Sequence, residues 1–260
     1  MNQCRATGLL LAGALVIALI TNANGNEQSI AASGTKHITA AGFSQLPAGG
    51  ELPKVWEPLR ISSIPRNTLY SLESADGVTV LRAEADASMS GLAREIDLDP
   101  QALPWMQWRW RVAGANEKSR LDNKQGDDFP ARIYVFFDYD INRMPFLERV
   151  IFRLARALYG DRLPRAALCY VWANEDPPGT TAWNAFTERV RMVVASSGNA
   201  QAGQWVAVER NVGDDFKEAF GEPVPRITGI AIATDSDGTG EYSLAWYGDI
   251  VFSSQERGRE

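Results

Sequence analysis

Apolar and polar residues alternate with the two-residue period of a strand through much of this chain. Trp105–Val112 puts Met106, Trp108, Trp110 and Val112 on one side and Gln107, Arg109 and Arg111 on the other. Residues 129–139 put Ala131, Ile133, Val135 and Phe137 opposite Arg132, Tyr134, Phe136 and Asp138. In residues 166–174 Leu168, Tyr170, Trp172 and Asn174 alternate with Ala167, Cys169, Val171 and Ala173, and in 188–195 Arg189 and Arg191 alternate with Val190, Met192 and Val194. Similar runs cover 56–61, 68–74, 78–85, 92–98, 204–211, 226–234 and 242–252, with Ala75-Asp76-Gly77 as a hairpin turn. Two stretches follow a helical period instead. Leu147, Val150, Ile151, Leu154 and Leu158 form one apolar stripe, and residues 214–220, capped by an Asp and closed by Gly221, form a short second helix. The pattern predicts an all-β antiparallel β-sandwich of about ten strands with two helical insertions, in one domain over 42–253 with a polar tail over 254–260.

The first residues read differently. Arg5, the uncharged apolar run 8–20 and the small residues Thr21-Asn22-Ala23 make a secretory signal over 1–23, followed by a flexible polar leader over 24–41. A spanning helix needs about 20 apolar residues, so no stable span is expected once the segment is cleaved; a tether by an uncleaved N-terminus is the alternative. Cys4 precedes the apolar run, where a lipid-attachment cysteine would follow it. Cleavage leaves Cys169 alone, without a disulfide partner and placed to pack as a small buried hydrophobe. The single histidine, His37, falls in the leader, which argues against Ser-His-Asp, Cys-His and multi-histidine metal chemistry. A net charge of −6 with no basic run argues against a nucleic-acid partner. The expected location is the periplasm.

WRWRV (108–112), GDDFPARIYVFFD (126–138), CYVWAN (169–174), GDDFKEAFGEP (213–223) and IAIATDSDGTGEYSLAWYGDIVF (230–252) resemble, in that order, an exported bacterial family catalogued as domain of unknown function three-zero-four-seven. The resemblance runs over about 42–252. It implies a jelly-roll sandwich like that of many carbohydrate-binding modules, and it transfers no activity and no catalytic residue.

The candidate chemistry lies on the strands. Extending the alternation across four of them predicts one surface carrying Arg109, Arg111, Arg132, Tyr134, Tyr170, Trp172, Arg189 and Arg191, with Asp128 beside it. Arginine with flat aromatic rings stacks on sugars and pairs with carboxylates or sulfates; the same residues also make ordinary cross-strand cation–π and ion-pair packing. Asp127 and Asp128 are adjacent and point to opposite faces of an extended strand, so a pairing of Asp128 with Arg109, Arg111 or Arg132 is expected in place of a two-carboxylate catalytic site. Asp235 and Asp237 sit in a D-x-D-G loop that offers calcium ligands but lacks the distant Glu of an EF-hand; no other cofactor is suggested. The leading expectation is a non-enzymatic binding domain for an acidic glycan or other envelope polymer. A polysaccharide lyase using Tyr134 as acid/base beside an arginine is the alternative, and a structural or assembly role in the envelope is the third.

Expressed with its own N-terminus in a Gram-negative host, the protein should be recovered from the periplasm, shortened near Ala23. Full-length protein confined to the cytosol would contradict the export signal.

Overall fold

The computed structural model describes residues 35–61, 64–139 and 166–257. The expected export signal and the predicted helix at 147–159 lie outside the described residues. From Thr35 on, the described residues form a single compact unit.

That unit is a sandwich of two sheets. In chain order the strands are β1 (His37–Ala41), β2 (Glu57–Leu59), β3 (Leu69–Ala75), β4 (Val78–Asp86), β5 (Met89–Leu98), β6 (Trp105–Val112), β7 (Arg132–Phe137), β8 (Ala166–Ala173), β9 (Thr181–Asn184), β10 (Thr187–Ser197), β11 (Val206–Asn211), β12 (Ile227–Asp235) and β13 (Tyr242–Ser253). The one α-helix among the described residues is α1 (Val212–Phe220). The first sheet runs β11-β6-β13-β4-β3, with β1 also on β13; the second runs β2-β5-β12-β7-β8-β10-β9. All pairs are antiparallel except β8 with β10, which run parallel. The sandwich is therefore mixed where pure antiparallel pairing was expected.

Local chemistry explains most of these elements. Asp76 (φ 55°) and Gly77 (φ 78°) adopt the left-handed conformation that closes the β3–β4 hairpin, where Ala75 faces Val78. Helix α1 is capped by Asn211, whose Oδ1 accepts from Gly213 N and Asp214 N (both 3.1 Å), in place of the expected aspartate. Gly221 (φ 69°) closes it. The sheet begins earlier than expected. His37–Ala41, read as part of the leader, pairs with the last residues of β13 (His37 with Ser253, Ile38 with Phe252). The flank of β13 opposite β6 is thus used end to end: Tyr242–Tyr247 face β4, and Ile250–Ser253 face β1.

The main core lies between the sheets. From the first come Met106, Trp108, Trp110 and Val112; from the second, Ile133, Val135, Leu168, Tyr170 and Trp172. Trp110 and Trp172 meet at 6.1 Å and Trp108 and Tyr170 at 5.2 Å. Buried indoles need an acceptor for their N–H. Trp110 Nε1 donates to Ser196 Oγ (2.9 Å) and Trp172 Nε1 to Gly198 O (3.0 Å). A smaller cluster lies on the outer side of the second sheet, where Leu121 and Phe129 of the loop before β7 cover Ala167, Cys169, Val171 and Met192.

Because Trp172 is fully buried, Trp172→Ala should cost about 3–5 kcal/mol of stability in urea unfolding. A smaller loss would place the ring outside the core.

Candidate functional site

Two features of the second sheet's outer face bear on function: a buried ionic cluster at one end of β7, and a groove beside it. Arg132 opens β7 with 1% of its surface exposed. Its Nε donates to Asp235 Oδ1 (2.8 Å), and Nη2 reaches Asp235 Oδ2 (2.6 Å) and the carbonyl of Asp127. Nη1 donates to Asp127 Oδ1 (3.1 Å) and to the Tyr134 hydroxyl (3.3 Å). All five N–H groups of a guanidinium are then matched within the protein. Phe129 lies under the plane at 4.7 Å, and its backbone N–H donates to Asp235 Oδ1. Burial opposes the charge on Arg132, and Asp127 and Asp235 overcome it.

The acids around this arginine outnumber it. Carboxylate oxygens of Asp128, Asp235 and Asp237 lie within 4.8 Å of one another. Asp128 accepts from Thr239 N (2.5 Å). Burial pushes Asp235 up to about 7 against the pull of Arg132, with Asp128 and Asp127 adding to the rise. Burial and then Asp128 also raise Asp237. The pairing of Asp128 with an arginine is therefore corrected: Asp127 and Asp235 hold Arg132, and Asp128 faces its fellow acids. The two residues of the calcium loop do come together with a third carboxylate.

The groove has a volume of about 660 Å³. Its floor is the strip of small residues Gly91, Ala93, Gly229, Ala231 and Ala233, which the register of β5 against β12 sets side by side. One wall is Tyr134 and Phe136, alternate residues of β7 whose rings stack at 6.0 Å with 21° between planes. The other wall is Pro58 and Leu59 of β2, with exposed Val55 and Ile61 nearby. At the rim stand Glu57, Glu95, Asp138 and Arg60, while Arg94 donates to Ala40 O (2.6 Å). Burial holds the Tyr134 phenol well above its ordinary pKa, although Arg132 pulls the other way.

The single arginine/aromatic surface expected from four strands does not form. Strand β6 belongs to the first sheet and β7 to the second. Arg109 and Arg111 lie on the first sheet's outer face and stack on Trp205 at 4.6 and 5.0 Å; Arg111 also covers Trp246 at 4.2 Å. Tyr170 and Trp172 point into the core, because it is Ala167, Cys169 and Val171 that share the face of Phe136, Tyr134 and Arg132. Arg191 stacks on Trp183 (4.9 Å) and donates to Thr181 at the sheet's far edge, and Arg189 lies over Tyr139 (5.5 Å). Of the expected set Arg132 and Tyr134 meet directly, Asp128 adjoins them through Asp235, and Arg109 and Arg111 share Trp205 on the other sheet. Burial pushes the Cys169 thiol up to about 12, so it is the inert small hydrophobe expected. The groove floor was missed, although Gly229-Ile230-Ala231-Ile232-Ala233 alternates small with large and marks a side-chain-poor strip on one face.

The family model described as protein of unknown function (DUF3047) matches residues 54–251. No curated protein matches the sequence. Among solved structures, the chain aligns with the family 30 carbohydrate-binding module of cellulosomal cellulase Cel9D-Cel44B of Clostridium thermocellum at 12% identity and TM-score 0.35, over 85% of this chain and 99% of that one. It aligns with endoglucanase 3 from family GH12 of Trichoderma harzianum at 7% identity and TM-score 0.36, over 78% and 99%. A cellulose induced protein, Cip1, aligns at 11% and 0.30, over 79% and 94%. These superpositions are too loose to carry residues or chemistry across. Among the described residues no helix is long and apolar enough to cross a membrane.

The raised pKa of Asp237 has a definite sign. The folded state holds its proton more tightly than the unfolded chain, so its contribution to stability falls as pH rises from about 4, the unfolded value, through the folded one. In chelator at pH 8, Asp237→Asn should raise Tm by roughly 1–3 °C, the relief expected for one partly exposed like-charge contact. That gain should shrink as pH falls and be lost below about 4, the unfolded value, where the carboxyl is protonated in both states. Added Ca²⁺ tests the cation expectation on the same pair. A bound ion would raise the wild-type Tm and make Asp237→Asn the less stable protein.

Proposed function

The chain belongs to the DUF3047 family, and we propose that it is a binding protein whose ligand is a neutral saccharide lying in the groove of the second sheet. The observation that carries the reading is the groove's construction. A floor of glycines and alanines lies beside two stacked rings that present an apolar wall, which is how a flat, amphipathic sugar face is held. Its volume falls within the range of about 300–1,000 Å³ common to small-ligand sites.

Charge sets the preference. The rim carries three acids, Glu57, Glu95 and Asp138, against two bases, Arg60 and Arg94, the latter held by Ala40 O. A polyanion would meet repulsion there, so the acidic glycan gives way to a neutral one. Two observations weigh against the elimination chemistry. Arg132 has no N–H left to neutralise a uronate, and the Tyr134 phenol is a weaker acid than a free one, which leaves its phenolate scarce as a base. Export would bring the groove to envelope or extracellular polysaccharide.

Calorimetry against neutral and acidic oligosaccharides tests this. Neutral oligosaccharides should bind with little salt dependence. Phe136→Ala should weaken them about tenfold through lost stacking, and Ala93→Phe, which fills the floor, should abolish binding with Tm retained. Neutral-oligosaccharide binding that survives Ala93→Phe, or no binding of any neutral oligosaccharide, would refute the reading.

A further inference from the structure

We propose a second binding site, for an oxyanion, on the outer face of the first sheet, centred on Arg109. It stands apart from the saccharide groove, on the opposite face of the sandwich, and does not depend on it.

The site is a cavity of about 320 Å³ of mixed lining between β4, β6, β11, β13 and the turn after β1, its polar walls being Ser44, Thr79, Gln107, Arg109, Asp249 and Arg257. Arg109 is half-buried, with its guanidinium over Trp205 at 4.6 Å. Among the described residues no oxygen accepts a hydrogen bond from it, and no carboxylate lies within ion-pair distance. Other arginines of the sandwich are paired. Arg82 has Glu73 and Glu84, Arg132 has Asp127 and Asp235, Arg210 has Asp215, and Arg226 has Asp97. Arg109 alone of these five keeps its whole fork of donors open while its stem is packed.

The backbone is shaped around that side chain. The β6–β13 register slips between Tyr247 and Ile250, and Gly248 sits in the slip. A Cβ there would stand 2.6 Å from Arg109 Cγ and 3.0 Å from its Nε. Only glycine lets the arginine lie down across β13 into the cavity. The next residue, Asp249, could have satisfied Arg109, but its two oxygens accept from Ser44 N (2.9 Å) and Ser44 Oγ (2.5 Å). Glu209, outside the cavity lining, accepts on Oε2 from Gln107 Nε2 (2.5 Å) and from Arg257 N (2.9 Å), which ties the chain end to β11. Arg257 uses Nη2 on Gln107 Oε1 (2.6 Å), and its remaining donors border the cavity.

Two guanidiniums with unused donors, the half-buried Arg109 and the exposed Arg257, thus line a small space whose one carboxylate, Asp249, already accepts from Ser44. A planar fork of this kind matches the paired oxygens of a carboxylate or the edge of a sulfate. Trp205 holds Arg109 in one orientation, which lowers the ordering cost of binding. The cavity admits a single oxyanion and its immediate carrier. The shared chemistry is therefore one oxyanion group, free or attached to an acidic saccharide.

Proton–nitrogen NMR of arginine side chains tests this at low ionic strength, with sodium sulfate and an oligogalacturonate as probes. The Arg109 Nε–H signal should shift saturably with sulfate, with a Kd of about 1–10 mM for a lone charge-assisted contact. The Arg82 signal should not titrate. Arg109→Lys keeps the charge and loses the fork, so affinity should drop at least tenfold; Ala93→Phe should leave binding unchanged. Tighter binding of the oligogalacturonate would identify a saccharide carboxylate as the ligand, and preference for sulfate a free or sulfated group. A linear, unsaturating response at Arg109, or full affinity in both Arg109→Lys and Arg109→Gln, would overturn the site.

Discussion

One arginine holds the second sheet to the loop that precedes it. Leaving a guanidinium in a protein interior costs several kcal/mol unless every donor is matched, and Arg132 is matched by two aspartates, a carbonyl and a phenol. These partners come from different places: Asp127 from the loop before β7, Asp235 from the end of β12, Tyr134 from β7 itself. The network therefore fixes the height of the loop over the sheet, the end of β12, and the position of the Tyr134 ring. A second knot works in the same way on the other side of the core. Asp215 of α1 accepts from Tyr170 (2.8 Å) and from Arg210 Nε (2.9 Å), seating the helix on both sheets.

The two outer faces of the sandwich have been put to different uses. On the second sheet, bulk has been withdrawn from the floor and retained in the rings of Tyr134 and Phe136, giving a concave surface. On the first, a row of Arg109, Trp205, Arg111 and Trp246 lies flat, with the indoles tied down by Asp76 and Glu73. Arginine–aromatic stacking is thus mostly scaffolding here, as cross-strand packing predicts. The exception is the one stacked arginine whose fork was left open.

Strand existence and the facing of each side chain within a strand were legible, because the two-residue period needs no tertiary information. Met106, Trp108, Trp110 and Val112 do face the core together, and Arg109 and Arg111 do face away. What alternation cannot carry is which sheet a strand joins, or which of two apolar sets faces the core when both are apolar. Strand β8 is buried on both sides. Its aromatic set entered the main core and its small set the cover beneath Leu121 and Phe129, so Tyr170 and Trp172 read as surface when they are interior. Likewise, Arg132 was legible as a paired cation, but its partner was a register question that only the closure of β12 onto β7 answers.

The short strand β1 gives the chain a protection that its composition does not announce. Beyond the slip at Gly248, β4 no longer accompanies β13, and without β1 the backbone groups of Ile250 to Ser253 would form a bare ladder beside apolar side chains. Such an open rung is a template for a foreign strand. Five residues with a polar outer side occupy it from within. Strand β1 is thus a stopper: a proteolytic cut a few residues too late would turn a self-contained sandwich into one that recruits its missing strand from a neighbour.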